Sequence, residues 1–286
     1  MHDPDSMAST SAHPVSASTG AHRIQTAFVR AREAGRSCAV MPFVTAGYPD
    51  LGATVRVLEG AAAAGADLVE LGIPFSDPIA DGPVIAESMH EALVAGVSPS
   101  AIFDAIAACR CEVPVVAMVS VSIVERMGVE AFCRRATDAG VAGFIVPDAD
   151  PAAARELAAH AGSIGAGWCP LIAPTSSDER RREVAASATG FVYLLARVGI
   201  TGERSDAPEV SGAVMRLRSE TRAPIAVGFG ISRPEHVAAV GAQADGAIVG
   251  SAIVRVMREA KDRGEDSAEA ALALVRALAS GATGRK

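Results

Sequence analysis

The chain alternates short, continuously apolar runs with longer stretches rich in Ala, Arg and Glu, and it does so eight times from residue 39 onward. Runs that are apolar on both faces are typical of strands buried on both sides of a parallel sheet. The intervening stretches have the length and composition of crossover helices. The eight predicted strands cover residues 39–45, 67–71, 114–120, 143–147, 167–173, 191–196, 224–229 and 246–250.

The stretches between the strands predict helices, several of which begin with Pro, Ser or Asp in the first turn. Eight strand-helix units in about 250 residues are the count and length of a TIM barrel. We therefore expect an α/β fold, a TIM (β/α)8 barrel with short extra helices, and a doubly wound sheet is the competing architecture. The main predicted helices are 51–64, 127–139, 151–161, 176–187, 209–221, 233–241 and a long one at 251–279.

The predicted domain organisation is a leader followed by one catalytic domain. Residues 1–22 are rich in Ser, Ala and His and lack the basic-then-apolar pattern of a signal peptide. We expect them to be a disordered leader, with Met1 and Met7 as alternative starts. Residues 23–286 are expected to form a single TIM-barrel domain.

The composition excludes several classes of protein. The net charge of −7 leaves no broad basic surface for nucleic acid. The sequence has no apolar run near the ~20 residues needed to span a bilayer, so no membrane association is expected. The five cysteines are odd in number and form no C-x-x-C pair, which is typical of reduced thiols in the cytoplasm.

Three carboxylates lie at the end of the second predicted strand. In a TIM barrel the active site is at the end where strands run into their following loops. Glu70 closes the strand itself, where loss of water favours the neutral acid and suits it to proton transfer. Asp81 follows on the loop and is expected to stay ionised and accept a hydrogen bond from a substrate N–H, whereas Asp77 fits a turn.

Two late segments predict a phosphate site. The segments GFGIS (228–232) and VGSAIV (249–254) are glycine-rich, follow the last two strands and run directly into helices. Free backbone amides at such positions bind phosphate without lysine. Barrels commonly bind phosphate there, and Gly202, on a long polar loop after the sixth strand, is placed to close over the same group.

Other chemistries find little support in the sequence. Neither Lys261 nor Lys286 follows a predicted strand, which argues against a Schiff-base aldolase. The six histidines fall in the leader or in helices, so no metal site is expected. There is no G-x-S-x-G stretch. Acid-base catalysis by carboxylates is what remains.

The motifs MPFVTAGYPD, DLVELGIPFSDPIADGP, APTSSDER, ARVGITG, GFGIS and GAIVGSAIV resemble the tryptophan synthase alpha subunit family. The resemblance extends over nearly the whole chain from about residue 23. It implies a TIM barrel that cleaves indole-3-glycerol phosphate to indole and glyceraldehyde 3-phosphate by a retro-aldol reaction. It also implies no metal or organic cofactor in this chain. The implied partner is a pyridoxal-phosphate-containing beta subunit in an alpha2beta2 heterotetramer.

The resemblance assigns roles to individual residues. It makes Glu70 the acid-base residue and Asp81 the carboxylate that faces the indole N–H. Phe43 would form part of the indole wall and Thr201 part of a closing lid. Phosphate contacts are implied for Gly202, Gly230, Gly250 and Ser251.

The chain also departs from the family pattern. After the third strand, Ser120 and Ser122 replace a Tyr and an Asn, which removes an aromatic wall from the expected pocket. Ala196 stands where a Ser is usual, Phe191 where a Tyr is frequent, and Asp150 where a Pro is common. The loop after the third strand faces the beta subunit in the family.

Four functional hypotheses are compatible with these residues. The first is a tryptophan synthase alpha subunit that passes indole to a beta subunit. The second is a stand-alone indole-3-glycerol-phosphate lyase of specialised metabolism, and the third is a weakly active regulatory partner of a beta subunit. The fourth is another phosphate-binding barrel enzyme, such as a sugar-phosphate isomerase.

Overall fold

The computed structural model describes residues 19–78, 82–173, 175–196, 210–228 and 230–284. Within this part of the chain the strands are β1 (Ala39–Thr45), β2 (Val69–Gly72), β3 (Val115–Met118), β4 (Val141–Ile145), β5 (Gly167–Trp168), β6 (Leu171–Ile172), β7 (Val192–Leu195), β8 (Ile225–Gly228) and β9 (Gly246–Val249). The helices are α1 (Gly20–Glu33), α2 (Leu51–Gly60), α3 (Pro83–Val94), α4 (Pro99–Ala108), α5 (Val121–Met127), α6 (Val129–Asp138), α7 (Pro151–Ser163), α8 (Asp178–Ser187), α9 (Ser211–Arg218), α10 (Pro234–Gly241), α11 (Ser251–Asp262) and α12 (Ser267–Gly281).

The strands form one parallel sheet in the order β5-β4-β3-β2-β1-β9-β8-β7-β6. Its two edge strands, β5 and β6, belong to the same stretch of chain and are separated only by Cys169 and Pro170. The Cys169 N–H donates to Phe144 O of β4 at 2.9 Å, and the Pro170 carbonyl accepts from Tyr193 N of β7 at 2.9 Å. Residues 167–172 therefore join both edges, and the sheet closes into the predicted TIM barrel rather than a doubly wound sheet.

The predicted strands are confirmed, and β1 has the predicted bounds. The single helix predicted at 251–279 is wrong, because α11 and α12 are separate helices. Gly264 takes a left-handed φ of 71°, which breaks the helix. Asp266 then caps α12 by accepting hydrogen bonds from the N–H groups of Ala268 and Glu269.

Helix α1 closes the N-terminal end of the barrel. Ile24 and Phe28 are buried in the interior cluster, and the Phe28 ring lies 5.9 Å from that of Phe191. A Cβ on Gly143 or Gly167 would lie within 2.7 Å of Ile24 Cδ1. The two glycines thus leave the space that the Ile24 side chain fills.

Helix α1 begins at Gly20, behind an N-cap at Thr19, so residues 20–22 are its first turn. The division into a leader and a barrel domain stays a prediction, since residues 1–18 lie outside the described part. In that part, no helix taken singly is long and apolar enough to cross a membrane. Helices α3 and α4 pass the same test only as a pair bent by 94°.

Ile24→Ala should destabilise the barrel by about 2–5 kcal/mol, because it removes a buried apolar side chain and leaves a cavity. The free energy of unfolding from urea titration measures the loss. Val29→Ala, on the exposed side of the same helix, is the matched control and should change it by less than about 0.5 kcal/mol. Equal losses in the two variants would show that α1 does not plug the barrel.

Candidate active site

Glu70 lies inside the barrel near the C-terminal end of β2. Side chains alternate along a strand, and Leu68, two residues earlier, belongs to the interior cluster. Glu70 is only 1% exposed. Burial is the main cause that raises the pKa of the Cys169 thiol, and the charge of Glu70 raises it further. The carboxyl group therefore faces the same interior as Cys169.

Phe43 is paired in register with Glu70 and lies near the C-terminal end of β1. A Cβ on Gly72 would lie 2.5 Å from Phe43 Cζ and 3.5 Å from Met89 Cε of α3. Gly72 thus makes room for the ring, which α3 covers from the other side. The sequence prediction that Glu70 and Phe43 share a site at this end of the barrel agrees with their placement.

Tyr193 is a site residue that the sequence analysis did not single out. It lies on β7, belongs to the interior cluster and is 7% exposed. Its Oη lies 2.2 Å from the point that a Cβ on Gly228 would occupy, so the phenol crosses the backbone of β8. The sequence feature that could have identified it is a single tyrosine at an inward-facing position of an otherwise apolar strand.

Gly250 and Ser251 form the start of α11, directly after β9. Gly250 has a φ of −103°, and no side chain caps the helix. A Cβ on Gly250 would meet nothing nearer than Ile85 Cδ1 at 3.5 Å. Packing does not require glycine here, whereas close approach of a bound group to the helix N-terminus would.

Gly230 lies in the loop after β8, where its φ of 77° favours glycine. Two residues on, the Ser232 N–H donates to Nδ1 of the buried His236 at 3.3 Å. The loop is therefore held against α10 at the end of the barrel that also carries Gly250. The described phosphate-site candidates Gly230, Gly250 and Ser251 lie on two neighbouring strand ends, because β8 pairs with β9.

Three of the predicted site residues, Asp81, Thr201 and Gly202, lie outside the described residues. Asp77 is described and exposed, and its Oδ2 accepts a hydrogen bond from Ser76 Oγ at 2.6 Å. This local bond fits the predicted turn role of Asp77.

The departures after β3 and β4 have structural explanations. The Ser120 hydroxyl donates to Asp148 Oδ2 at 2.7 Å, and Asp148 Oδ1 accepts from Val121 N at 2.8 Å. Ser120 also caps α5. Asp150 caps α7, and the N–H groups of Ala153 and Ala152 lower the pKa of its carboxyl group. Both residues therefore stabilise helix starts.

The described residues contain no group of three or more His, Cys, Asp or Glu side chains that could hold a metal ion. Burial raises the pKa of three thiols, those of Cys38, Cys109 and Cys133, to about 11. Such thiols stay protonated at neutral pH and are poor nucleophiles. Among the described residues, the chemical groups at the mouth of the barrel include the Glu70 carboxyl group, the Tyr193 hydroxyl group and backbone amides.

Comparison with known families gives a match over residues 28–283 to the model described as tryptophan synthase alpha chain. A tryptophan synthase alpha chain of Halorhodospira halophila is 43% identical over 92% of this chain and 98% of its own length. One from a Synechococcus strain is 43% identical over 86% of this chain and 92% of its own.

Solved structures give the same result. A tryptophan synthase structure from Mycobacterium tuberculosis superimposes with a TM-score of 0.82 at 32% identity, over 93% of this chain and 99% of that one. An alpha chain from Legionella pneumophila gives a TM-score of 0.81 at 30% identity, over 91% of this chain and 96% of that one.

Gly228→Ala should lower the free energy of unfolding by about 1–3 kcal/mol, because the added methyl group collides with the Tyr193 ring. Gly162→Ala is the matched control: Gly162 lies in α7, and a Cβ there would meet no atom within 4 Å outside its own helix, so the change should not lower stability and should raise it by up to about 1 kcal/mol. Urea unfolding of both variants measures the difference. Equal stability of the two would contradict the inferred path of the Tyr193 side chain.

Proposed function

The chain belongs to the tryptophan synthase alpha chain family and is a carbon-carbon lyase that cleaves indole-3-glycerol phosphate; from this premise, we propose which of its residues perform the reaction. The observation that carries the proposal is a buried carboxyl group, Glu70, at the mouth of the barrel and in register with Phe43. The only other buried acid among the described residues is Asp67. Asp67 lies before β2, at the opposite end, and forms an ion pair with Arg36.

Glu70 is the proton-transfer residue in this proposal. Indole is a poor leaving group until its C3 atom is protonated, so an acid must deliver a proton there. A base must also remove the proton of the glycerol hydroxyl as the carbon-carbon bond breaks. One carboxyl group serves both steps: as the neutral acid it gives its proton to C3, and as the resulting carboxylate it takes the proton of the glycerol hydroxyl.

Asp81 is assigned a second, electrostatic role on its sequence motif alone. When C3 is protonated, positive charge spreads toward the ring nitrogen of the indole. An ionised carboxylate that accepts the N–H hydrogen bond stabilises this charge. Phe43, already placed beside Glu70 by the strand register, is proposed to contact the face of the indole ring.

The phosphate group of the substrate is proposed to bind at the ends of β8 and β9. Gly250 and Ser251 begin α11, and the first N–H groups of a helix point outward without partners in the helix. Gly230 contributes backbone from the neighbouring loop. Thr201 and Gly202 are assigned by motif to the closing lid and to a further phosphate contact.

The proposed partner is a tryptophan synthase beta subunit in an alpha2beta2 heterotetramer. The pyridoxal phosphate of the complex would belong to that partner, and this chain would need no cofactor of its own. We also propose a cytoplasmic location, a leader that ends before α1, and one catalytic domain that includes α1 and residues 23–286. The leader boundary predicted at residue 22 is moved because residues 20–22 form the first turn of α1. These proposals are supported by family membership and by the motifs.

Glu70→Gln should lower kcat for indole release at least about 100-fold, because the amide cannot exchange protons. Inhibition by glycerol 3-phosphate should be unchanged, since the phosphate site is separate from Glu70. Glu112→Gln, an exposed change at the other end of the barrel, is the control and should retain full activity. Substantial cleavage by Glu70→Gln would refute the acid-base assignment.

Addition of a tryptophan synthase beta subunit should raise the rate of indole release by roughly tenfold or more, which corresponds to a barrier lowered by about 1.4 kcal/mol or more. The measurement compares the purified chain alone and with the partner. Rapid release by the chain alone, unchanged by the partner, would instead identify a stand-alone lyase. Absence of release under both conditions would favour a weakly active regulatory subunit.

A further inference from the structure

Two buried hydroxyl groups connect the end of β1 to α3. Thr45 Oγ1 and Ser88 Oγ lie 2.7 Å apart, and the two residues are 1% and 2% exposed. Ser88 Oγ also lies 2.7 Å from the carbonyl oxygen of Ile85, to which it donates. Because the single Ser88 proton goes to Ile85, Thr45 must donate to Ser88. The hydrogen bonds therefore run in one direction, from Thr45 through Ser88 to Ile85.

These two hydrogen bonds hold the part of α3 that packs near Phe43 in place on β1. Ile85 Cδ1 and the Phe43 side chain both flank Gly250, at 3.5 and 3.8 Å from the position of a Cβ there. Met89 Cε and the Phe43 ring both lie against Gly72. Ile85, Ser88 and Met89 are all on the buried side of α3. A shift of α3 relative to β1 would therefore move the Phe43 ring against its neighbours.

The ion pairs described on the outer side of α3 are weaker constraints. Arg258 forms ion pairs with Glu87 and Glu91, and Lys261 pairs with Glu91, on the outer side of the helix. These side chains are about one-third to one-half exposed, and water and salt screen such pairs. A buried hydrogen bond between short side chains is directional and unscreened. The Thr45–Ser88 bond is thus a buried, directional constraint on the register of α3 on β1.

We propose that Thr45 and Ser88 are positioning residues for the cleavage reaction, which hold the Phe43 ring and hence the indole in the orientation that Glu70 requires. This inference rests on the proposed roles of Glu70 and Phe43. Thr45 and Ser88 act through α3 and touch neither substrate nor reacting atoms. Small misplacements of reacting groups cost large factors in rate, so their loss appears in kcat.

Thr45→Val keeps the volume of the side chain and removes the hydroxyl, and it should lower kcat for indole release roughly tenfold. Inhibition by glycerol 3-phosphate should stay within about twofold of wild type, because the proposed phosphate contacts are backbone N–H groups at the ends of β8 and β9, and the Thr45 and Ser88 hydroxyls bond instead to each other and to Ile85. Thr45→Ser keeps the hydroxyl and should retain most of kcat. Ser88→Ala breaks the same bond from the other side and provides the test if Thr45→Val does not fold. The double variant should be little worse than either single one.

Ser267→Ala is the matched control, because Ser267 is also buried and its hydroxyl donates to a helix carbonyl, that of Met257, at 2.8 Å. It should lose stability without loss of kcat. The assays use the full chain with a beta subunit. The inference is wrong if Thr45→Val keeps the wild-type kcat or changes only KM. It is also wrong if kcat falls as far in Thr45→Ser, or in Ser267→Ala, as it does in Thr45→Val. An inactive wild-type chain would instead overturn the proposed function, and the inference with it.

Discussion

Closure of the barrel by residues 167–172 is the constraint on which the remaining structure depends. This short stretch pairs with β4 through its first half and with β7 through its second half, and Pro170 at its centre has no N–H to offer. Closure leaves no free sheet edge and directs one set of side chains inward from every strand. That inward set contains Tyr193 and, by strand register, Glu70, so the same geometry that hides the sheet edge gathers polar groups into an apolar interior.

The two ends of the barrel differ in how tightly their interiors are packed, and the site lies at the less tightly packed end. At the N-terminal end, Ile24 and Phe28 of α1 pack into the apolar interior cluster. At the other end glycine replaces side chains at positions 72, 228 and 250, which makes room for the rings of Phe43 and Tyr193 and for access to the start of α11. Packing at the N-terminal end thus stabilises the barrel, whereas the C-terminal end is less tightly packed and leaves space for a bound group.

The sequence predicted the strands well because a strand buried on both faces needs continuous apolar residues, and that pattern is local. It also placed Glu70 correctly, since the end of an apolar strand is visible in the sequence. The sequence analysis missed the break between α11 and α12, although Gly264 is typical of a helix end and Asp266 of a helix N-cap. The Thr45–Ser88 and Ser120–Asp148 hydrogen bonds could not be predicted, because they join residues that are 43 and 28 positions apart in the sequence.

The seat of helix α1 has a consequence for synthesis of the chain. Ile24 is made early, but the glycines that receive it, Gly143 and Gly167, and the ring that packs on Phe28, that of Phe191, are made much later. On the ribosome, which adds residues from the N-terminus, the apolar face of α1 must wait until about residue 191 has emerged. The nascent chain therefore exposes the apolar face of α1 during most of its translation. During this interval, chaperone binding or aggregation would compete with folding.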